Sequence, residues 1–460
     1  MIFSNIFFIF RFLAVVLVLY YAAPYKYKNG IITIASLIFY SWGEVKYFPI
    51  MLASTVVDFF ASQTIEKHRN NKKITRIALA CSMIFNLGSL FFFKYTDFFI
   101  SNINNFFGTS IPLLKLTLPL GISFYTFQTM SYTIDVYWGK VKAEDSIIDF
   151  SAYVTMFPQL IAGPIVRYTD IAAKLNTYEG RITLDGINEG IKLFILGLGK
   201  KVLIANNVGA LWTDIETMGF ASVSTPLAWL GIIAYSLQIY FDFSGYSLMA
   251  IGLGKMLGFD FPQNFNLPYI SKSITEFWRR WHITLSSWFK EYVYIPLGGN
   301  RKGLKRQILN MLVVWLLTGF WHGADWNFML WGLYYFILLA LEKMFLLDFL
   351  KNKKVLARVY TLIAIAVGWA IFYITDLPAL GGFIVKMFSF SGGVSAVYFF
   401  KNYIVSIIVG ILCSTTLTTK FYDKFKDNNL VMIPLLTAIF LLSIAYLVDS
   451  TYNPFIYFRF

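Results

Sequence analysis

Long apolar runs recur along this chain from one end to the other, and most of its charge lies in the short loops between them. Of its 460 residues, 57% are hydrophobic and only 14% are charged, whereas soluble domains carry roughly 25% charged residues. A run of about 20 apolar residues crosses a bilayer as a helix, and lipid tolerates only helices or closed barrels. The sequence therefore predicts an all-α, polytopic membrane protein, with residues 1–460 in a single membrane domain.

The apolar runs predict about 11–12 transmembrane helices, with the first run retained in the protein rather than removed as a signal. The predicted spans are 6–24, 31–48, 49–65, 77–100, 118–138, 190–212, 226–257, 307–320, 327–347, 359–376, 400–416 and 431–449. Segments 157–168 and 261–299 are also apolar, but proline, glycine and charged residues interrupt them. Such backbone enters a membrane only inside protein or along a wet cavity. Both segments are predicted to be re-entrant or interfacial, around a polar interior.

The net charge of +14 is concentrated in basic loops, at 66–76, 301–306, 351–358 and 420–426. Loops of this kind stay on the cytoplasmic side and attract anionic lipid headgroups. Nucleic-acid binding is not expected, because the clusters are short and separated by predicted spans. Membrane lipids are the partners that this charge predicts.

His322 lies in the segment TGFWHGADWN (318–327), between two apolar runs. About 24 Å of helix separates Arg306 from His322, at roughly 1.5 Å per residue, so the imidazole is expected within the roughly 30 Å hydrocarbon layer. An ionisable side chain at that depth is a candidate functional residue. The alternative is a histidine that only forms a hydrogen bond between helices.

The neighbours of His322 suggest how it could act. Gly319 and Gly323 remove side-chain bulk, so that a substrate or another backbone can approach closely. Asp325 is three residues further on, the spacing at which two side chains share a helical face. A carboxylate there could hold one ring nitrogen as a donor and leave the other as a base.

A second candidate cluster lies in 276–303, where Trp278, Arg279, Arg280, Trp281 and His282 are nearly consecutive. Tryptophan favours half-wet surroundings, and arginine binds phosphate or carboxylate at two points. The cluster predicts an aromatic-walled channel with a basic entrance. The alternative is an ordinary aromatic and basic belt at the cytoplasmic surface.

Asp242 is another carboxyl within an apolar run, and it either lines the polar interior or forms a bond between helices. No metal site is expected, because the chain has no HExxH or comparable ligand spacing. A glycine-rich phosphate loop and a GxSxG elbow are missing as well. The chemistry is therefore expected to depend on the two histidine motifs.

These motifs resemble those of the membrane-bound O-acyltransferase family, above all its bacterial alginate O-acetyltransferase-like branch. The resemblance lies in FWRRWHITLSSWFKEYVYIPLGGNRKG (277–303) and TGFWHGADWNFMLWG (318–332). Supporting similarity lies in 118–137, 156–168, 239–269 and 452–460, so that 118–340 forms the core that carries the family motifs.

The resemblance implies a ring of helices around a thin centre, where an outer funnel meets an inner vestibule. It implies that His322 and His282 are catalytic. Trp321, Asp325 and Asp242 are predicted to support them, and the residues predicted to bind the donor are Arg279, Arg280 and Trp281. The implied reaction is transfer of an acyl group, acetyl by expectation, from a cytoplasmic thioester to a hydroxyl of a cell-envelope polysaccharide. The thioester is acetyl-CoA or an acyl-carrier protein, and no permanently bound cofactor is expected. The implied location is the bacterial cytoplasmic (inner) membrane, and the implied partner is an extracytoplasmic acetyltransferase with an esterase fold.

Other functions stay open on the sequence alone. D-alanyl transfer to teichoic acid and O-acetylation of peptidoglycan would use related motifs. A transporter for polysaccharide or lipid, or a scaffold that only recruits the partner, would need neither histidine for ester formation.

Overall fold

The computed structural model describes residues 1–161, 163–177 and 180–449, and these residues are helical almost throughout, with no β-strand among them. The helices are α1 (Ala14–Ala22), α2 (Lys28–Glu44), α3 (Phe48–Lys67), α4 (Lys72–Phe107), α5 (Ile122–Tyr137), α6 (Ile147–Thr155), α7 (Phe157–Leu160), α8 (Tyr168–Asn176), α9 (Leu184–Gly199), α10 (Asn206–Met218), α11 (Thr225–Met256), α12 (Ile274–Arg280), α13 (Ile283–Phe289), α14 (Gly303–His322), α15 (Trp326–Leu341), α16 (Leu347–Leu350), α17 (Lys354–Tyr373), α18 (Leu377–Phe388), α19 (Ala396–Cys413), α20 (Thr416–Phe425) and α21 (Asn429–Asp449). The all-α prediction is confirmed.

Every segment predicted as a span contains a helix in the structure, although residues 118–121 and 374–376 at the ends of two of them are not helical. Among the described residues, 7 helices are long and apolar enough to cross a membrane: Phe48–Lys67, Lys72–Phe107, Leu184–Met218, Thr225–Met256, Lys354–Tyr373, Ala396–Cys413 and Asn429–Asp449. Phe8–Ala22 and Leu377–Phe388 are shorter apolar helices. The chain is therefore a multi-pass membrane protein, and the count of about 11–12 crossings stays a prediction.

The chain divides into two compact units, and the prediction of a single membrane domain remains a prediction. Unit 1 comprises Met1–Phe194 and Ser247–Pro262, and unit 2 comprises Ile195–Tyr246 and Gln263–Phe460. The central helices of unit 1 are α3, α4 and α5, which share a buried polar network around Asp58. Both histidine motifs, and the helices α14, α15 and α17 that pack together, belong to unit 2.

The two segments predicted to be interrupted are indeed broken into short helices. In 157–168, α7 ends after one turn and the backbone from residue 163 to 167 is not helical; residue 162 lies outside the described residues. In 261–299, α12 and α13 are separated by His282, whose φ of 43° is left-handed. The C-terminal segment 452–460, which carries part of the family resemblance, lies outside the described residues.

Two glycines allow α14 and α15 to approach backbone to backbone. A Cβ on Gly319 would collide with the carbonyl oxygen of Phe328, and one on Gly332 would lie 2.5 Å from the carbonyl oxygen of Trp315. Of the two possibilities that the sequence left open for Gly319, the structure therefore shows approach by another backbone. This contact fixes the end of α14, where His322 is the last residue.

We predict that Gly332→Ala destabilises the protein, because the added methyl group needs space that the carbonyl of Trp315 occupies. Overpacking of this kind costs about 1–3 kcal/mol, which thermal unfolding of the purified protein in detergent would report as a lower midpoint. Gly381→Ala in α18 is the matched control, since nothing lies within 4 Å of a Cβ there. Equal midpoints for the two variants would contradict the close contact.

Candidate active site

Unit 2 contains a cavity of about 340 Å³ that both candidate histidines line. One wall is a single face of α14, formed by Met311, Trp315, Thr318 and His322 at intervals of three or four residues. This stripe extends over about 16 Å of helix, at roughly 1.5 Å per residue. The remaining lining residues are Thr275, Trp278, Arg279, Trp281, His282, Leu285, Ser286, Phe289, Lys290, Tyr294, Val314 and Leu339.

His322 lies at the end of this stripe and is packed among aromatic rings. Its imidazole meets Trp331 and Phe372 edge-on, with ring centroids 5.0 and 5.2 Å away. Only 8% of the residue is exposed, yet it borders the cavity. The aromatic neighbours hold the ring in place and leave the cavity as its open side.

His282 lies between α12 and α13, outside the candidate membrane-spanning helices, and a hydrogen bond determines its tautomer. Asn264 Oδ1 accepts the backbone N–H of Thr284 at 3.3 Å and lies 3.1 Å from His282 Nδ1. Because a backbone N–H can only donate, the amide atom is an oxygen, so Nδ1 must carry the proton. Burial lowers the pKa of His282 to about 3, which keeps the ring neutral.

Trp321 connects the two histidines. Its ring centroid lies 5.0 Å from that of His322 and 6.2 Å from that of His282. The indole is buried, and it does not line the cavity. The structure thus brings the two predicted histidines and Trp321 together within one cluster.

The predicted donor-binding residues separate into different environments. Arg279 is exposed and lines the cavity, and no carboxylate pairs with it among the described residues. Arg280 instead binds Glu276 at 2.9 Å and the backbone carbonyl of Asn266, and it does not line the cavity. Trp281 is buried and packs against Trp369, 4.7 Å away between centroids.

Asp325 does not share a helical face with His322, so that expectation is wrong. Helix α14 ends at His322, and Gly323 continues in extended conformation, with a φ of −165°. Asp325 instead caps α15, where its Oδ1 accepts the backbone N–H of Trp326 at 2.7 Å. Helical spacing does not hold across this break. A supporting role for Asp325 stays a prediction.

A second cavity, of about 430 Å³, begins where α14 ends. Its lining is Glu216, Gly323, Ala324, Asp325, Phe328, Tyr373 and Thr375. His322 borders the first cavity, and the next residue, Gly323, borders the second. Within unit 2, the chain at 322–323 therefore lies between two cavities of different character, one with cations and one with carboxylates.

Asp242 forms a bond between helical segments and is not part of either cavity. Its Oδ1 lies 2.6 Å from the Nζ of Lys201, and both side chains are buried. Lys201 also donates to Asn206 Oδ1 at 2.9 Å. Of the two interpretations that the sequence left open, the structure favours the helix–helix bond, because a buried carboxylate needs a partner.

Sequence reasoning missed two residues of the site. Asn264, the acceptor for His282, precedes that histidine by 18 positions, and nothing local connects the two. Lys290 lines the cavity as an exposed cation with no carboxylate partner among the described residues. It lies within the motif, and its positive charge among aromatic residues is the signal that could have indicated it.

Comparison with known sequences decides the family. The sequence model of the membrane-bound O-acyltransferase family matches residues 142–377, which include both histidines and the whole lining of the first cavity. The chain belongs to the membrane-bound O-acyltransferase family. It is therefore an O-acyltransferase, and the resemblance noted in the motifs is confirmed.

Relatives of this acyltransferase act in several bacteria. It is 40% identical to a probable alginate O-acetylase of Azotobacter vinelandii over 85% of this chain and 78% of that protein. It is 36% identical to the probable alginate O-acetylase of Pseudomonas putida over 100% of both chains. The peptidoglycan O-acetyltransferase of Helicobacter pylori is 37% identical over 82% of this chain and 78% of its own.

We predict that Asn264→Leu lowers the acyl-transfer rate about fivefold, because His282 loses the acceptor that fixes its ring. Loss of one hydrogen bond costs about 1 kcal/mol, and 1.4 kcal/mol is a factor of ten. Asn264→Asp keeps an acceptor oxygen and should retain more activity than the leucine variant. Initial rates per folded protein give the comparison. Gln263→Leu, at the neighbouring position, is the control, and equal loss in all variants would show that Asn264 is not specific.

Proposed function

We propose that this acyltransferase takes an acyl group, specifically acetyl, from a thioester on the cytoplasmic side and transfers it across the membrane to a hydroxyl. The hydroxyl belongs to a cell-envelope polysaccharide or to an extracytoplasmic partner that completes the transfer. The proposal rests on one observation above all: His322 and His282 line a single cavity whose wall also carries Arg279 and Lys290, two cations with no carboxylate partner among the described residues.

The first cavity suits a thioester donor. Arg279 and Lys290 are free to bind phosphate or carboxylate groups of a coenzyme A or carrier-protein arm. From Met311 to His322 the wall is apolar and aromatic apart from Thr318, which suits an uncharged acyl chain. Lys290 lies close in sequence to the basic loop 301–306, predicted to be cytoplasmic, and this supports donor entry from that side.

The second cavity suits the acceptor. Its carboxylates, Glu216 and Asp325, can accept hydrogen bonds from hydroxyl groups, and Tyr373 and Phe328 offer ring surface for a sugar or a peptide. Tyr373 already donates to Glu216 at 2.6 Å, which holds that carboxylate in place. A hydroxyl that arrives here would lie beside Gly323, the residue that follows His322 of the donor cavity.

The proposed reaction is an acyl transfer with His322 as the general base. The imidazole of His322 removes the proton from the acceptor hydroxyl, and that oxygen attacks the thioester carbonyl carbon. The tetrahedral intermediate then collapses, its carbon–sulfur bond breaks, and the leaving thiolate takes the proton from the imidazolium. Neutral His282 lines the donor side and positions the thioester.

The names of the relatives support acetyl as the acyl group and an envelope polymer as the final acceptor, since those proteins are alginate and peptidoglycan O-acetylases. We further propose an extracytoplasmic partner with an esterase fold, and a location in the bacterial cytoplasmic membrane. Alginate-like exopolysaccharide is favoured over peptidoglycan because one of the alginate relatives, that of Pseudomonas putida, matches along the full chain.

We predict that His322→Ala lowers ester formation by about 10²–10⁴-fold, the usual contribution of a general base. The measurement is alkali-labile label on the envelope polymer after membranes receive labelled acetyl-CoA or acetylated carrier protein. His68→Ala is the control, because His68 lies outside unit 2.

Normal labelling by His322→Ala would overturn the proposal and favour a scaffold, whose partner binding tolerates loss of the histidine. A transporter would move intact polymer without forming an ester, and export of unmodified polymer that depends on this chain would reveal it. Capture of the partner protein from the same membranes shows whether the variant still binds it. This separates the outcomes above from a failure of the two proteins to assemble.

We predict that Arg279→Gln raises the KM for the donor about tenfold with little change in kcat, because a charge-assisted contact worth about 1.4 kcal/mol or more is lost before chemistry begins. Arg280→Gln is the matched control, since that guanidinium pairs with Glu276 and does not line the cavity. Higher KM values for both variants, or for neither, would contradict donor binding by Arg279.

A further inference from the structure

Glu342 is a buried carboxylate for which the proposed mechanism has no use so far. Only 1% of the residue is exposed, and it lines neither cavity. It directly follows α15 and begins a single π-helical turn, Glu342–Leu346. Removing a carboxylate from water is costly unless other groups replace the hydrogen bonds that water provided. The partners of Glu342 therefore indicate what the residue does.

Three hydrogen bonds join Glu342 to the first turn of α12. Its Oε1 accepts the backbone N–H of Ile274 at 2.6 Å. Its Oε2 accepts the backbone N–H of Thr275 at 2.8 Å and the hydroxyl of the same residue at 2.6 Å. The next backbone N–H, that of Glu276, donates to the hydroxyl of Ser273. The start of α12 is thus held by one local residue and by a carboxylate 68 positions away.

The short helix α12 depends on such attachments for its position. It has 7 residues, and a helix of that length is not stable alone, because nucleation is costly. It carries Arg279 on the wall of the first cavity, and its C-cap residue, Trp281, immediately precedes His282. The bonds at Glu342 therefore bear on where the donor-binding guanidinium lies.

The helix that precedes Glu342 also contacts the proposed base. Trp331 of α15 packs against His322, with ring centroids 5.0 Å apart, and Leu339 of α15 lines the first cavity. About 16 Å of helix separates Trp331 from Glu342, at roughly 1.5 Å per residue. Helix α15 thus packs against the base at one level and anchors α12 about three turns further along.

We propose that Glu342 is a positioning residue for the thioester donor: through α12, it holds Arg279 at a fixed distance from His322. This inference rests on the proposed function and adds a residue to its donor side. Arg279 binds the phosphate groups of the donor, and His322 acts at the thioester end. A shift of α12 would misplace one end of the donor relative to the other, and small misplacements of this kind are costly.

The test replaces Glu342 with glutamine, which keeps the size of the side chain but places an amide NH₂ group opposite a backbone donor. We expect Glu342→Gln to raise the KM for acetyl-CoA or acetylated carrier protein about tenfold, as for Arg279→Gln, with little change in kcat. The KM for S-acetyl-N-acetylcysteamine, which has no phosphate, should stay the same. The double variant should show no higher KM than Arg279→Gln alone, because both changes act on one contact.

Loss of charge alone predicts a change of the opposite sign. Removing a carboxylate near an anionic donor favours binding of that donor, so a purely electrostatic effect would lower the KM. Asp348→Asn is the matched control, because it removes the same charge from an exposed position six residues further along. Its KM should not rise.

An unchanged or lower KM for Glu342→Gln, or an equal rise for both donors, would overturn the inference. If this variant does not fold, Thr275→Val removes one of the three bonds, with Thr275→Ser as its control. The valine variant should raise the KM for the phosphate-bearing donor about fivefold, the effect of one hydrogen bond, and equal values for the two variants would also overturn the inference. A raised KM for Arg279→Gln beside a normal KM for Glu342→Gln would leave the proposed function in place and reject only this anchor.

Discussion

The close approach of α14 and α15 is the contact on which the candidate site depends. Gly319 and Gly332 bring each helix against a backbone carbonyl of the other, and no larger residue fits at either position. The approach leaves room for Trp331 of α15 to lie beside His322 of α14. Without a driving force from water in the bilayer, such small-residue contacts are a main source of helix association. The packing of these two helices therefore contributes to the position of the imidazole.

Helical periodicity made much of this site predictable. Intervals of three or four residues place Met311, Trp315, Thr318 and His322 on one face of α14. This wall of the cavity was therefore predictable from the sequence. Crowding of tryptophans around both histidines predicted the aromatic wall, and the cavity lining bears it out. Periodicity failed at Gly323, where the backbone becomes extended and Asp325 starts a new helix. A three-residue spacing carries no directional information once the helix between its ends is broken.

The partners of buried polar groups were the other part that sequence did not reveal. Asp242 and Lys201 are forty-one positions apart, and Asn264 and His282 are eighteen apart, so each pair depends on how helices and loops pack. Sequence could indicate only that each buried polar group needs a partner. The pairing also divides the candidate residues by role. Asp242 and Arg280 are satisfied within the protein, whereas Arg279 and Lys290 remain available for a ligand.

The break at His282 explains why a neutral, oriented histidine occurs in an aromatic cavity. Its left-handed φ of 43° is unfavourable for a residue with a Cβ, and such strain persists only where the surroundings enforce it. The enforcement comes from Asn264, whose oxygen holds the ring nitrogen and the next residues of α13 at once. A continuous helix through 274–289 would place a backbone hydrogen bond where this side-chain bond now lies, and it would turn the imidazole through a different angle. The break between these short helices thus places a polar ring at a cavity whose other walls are largely apolar. A thioester in that cavity would contact an imidazole whose orientation is fixed.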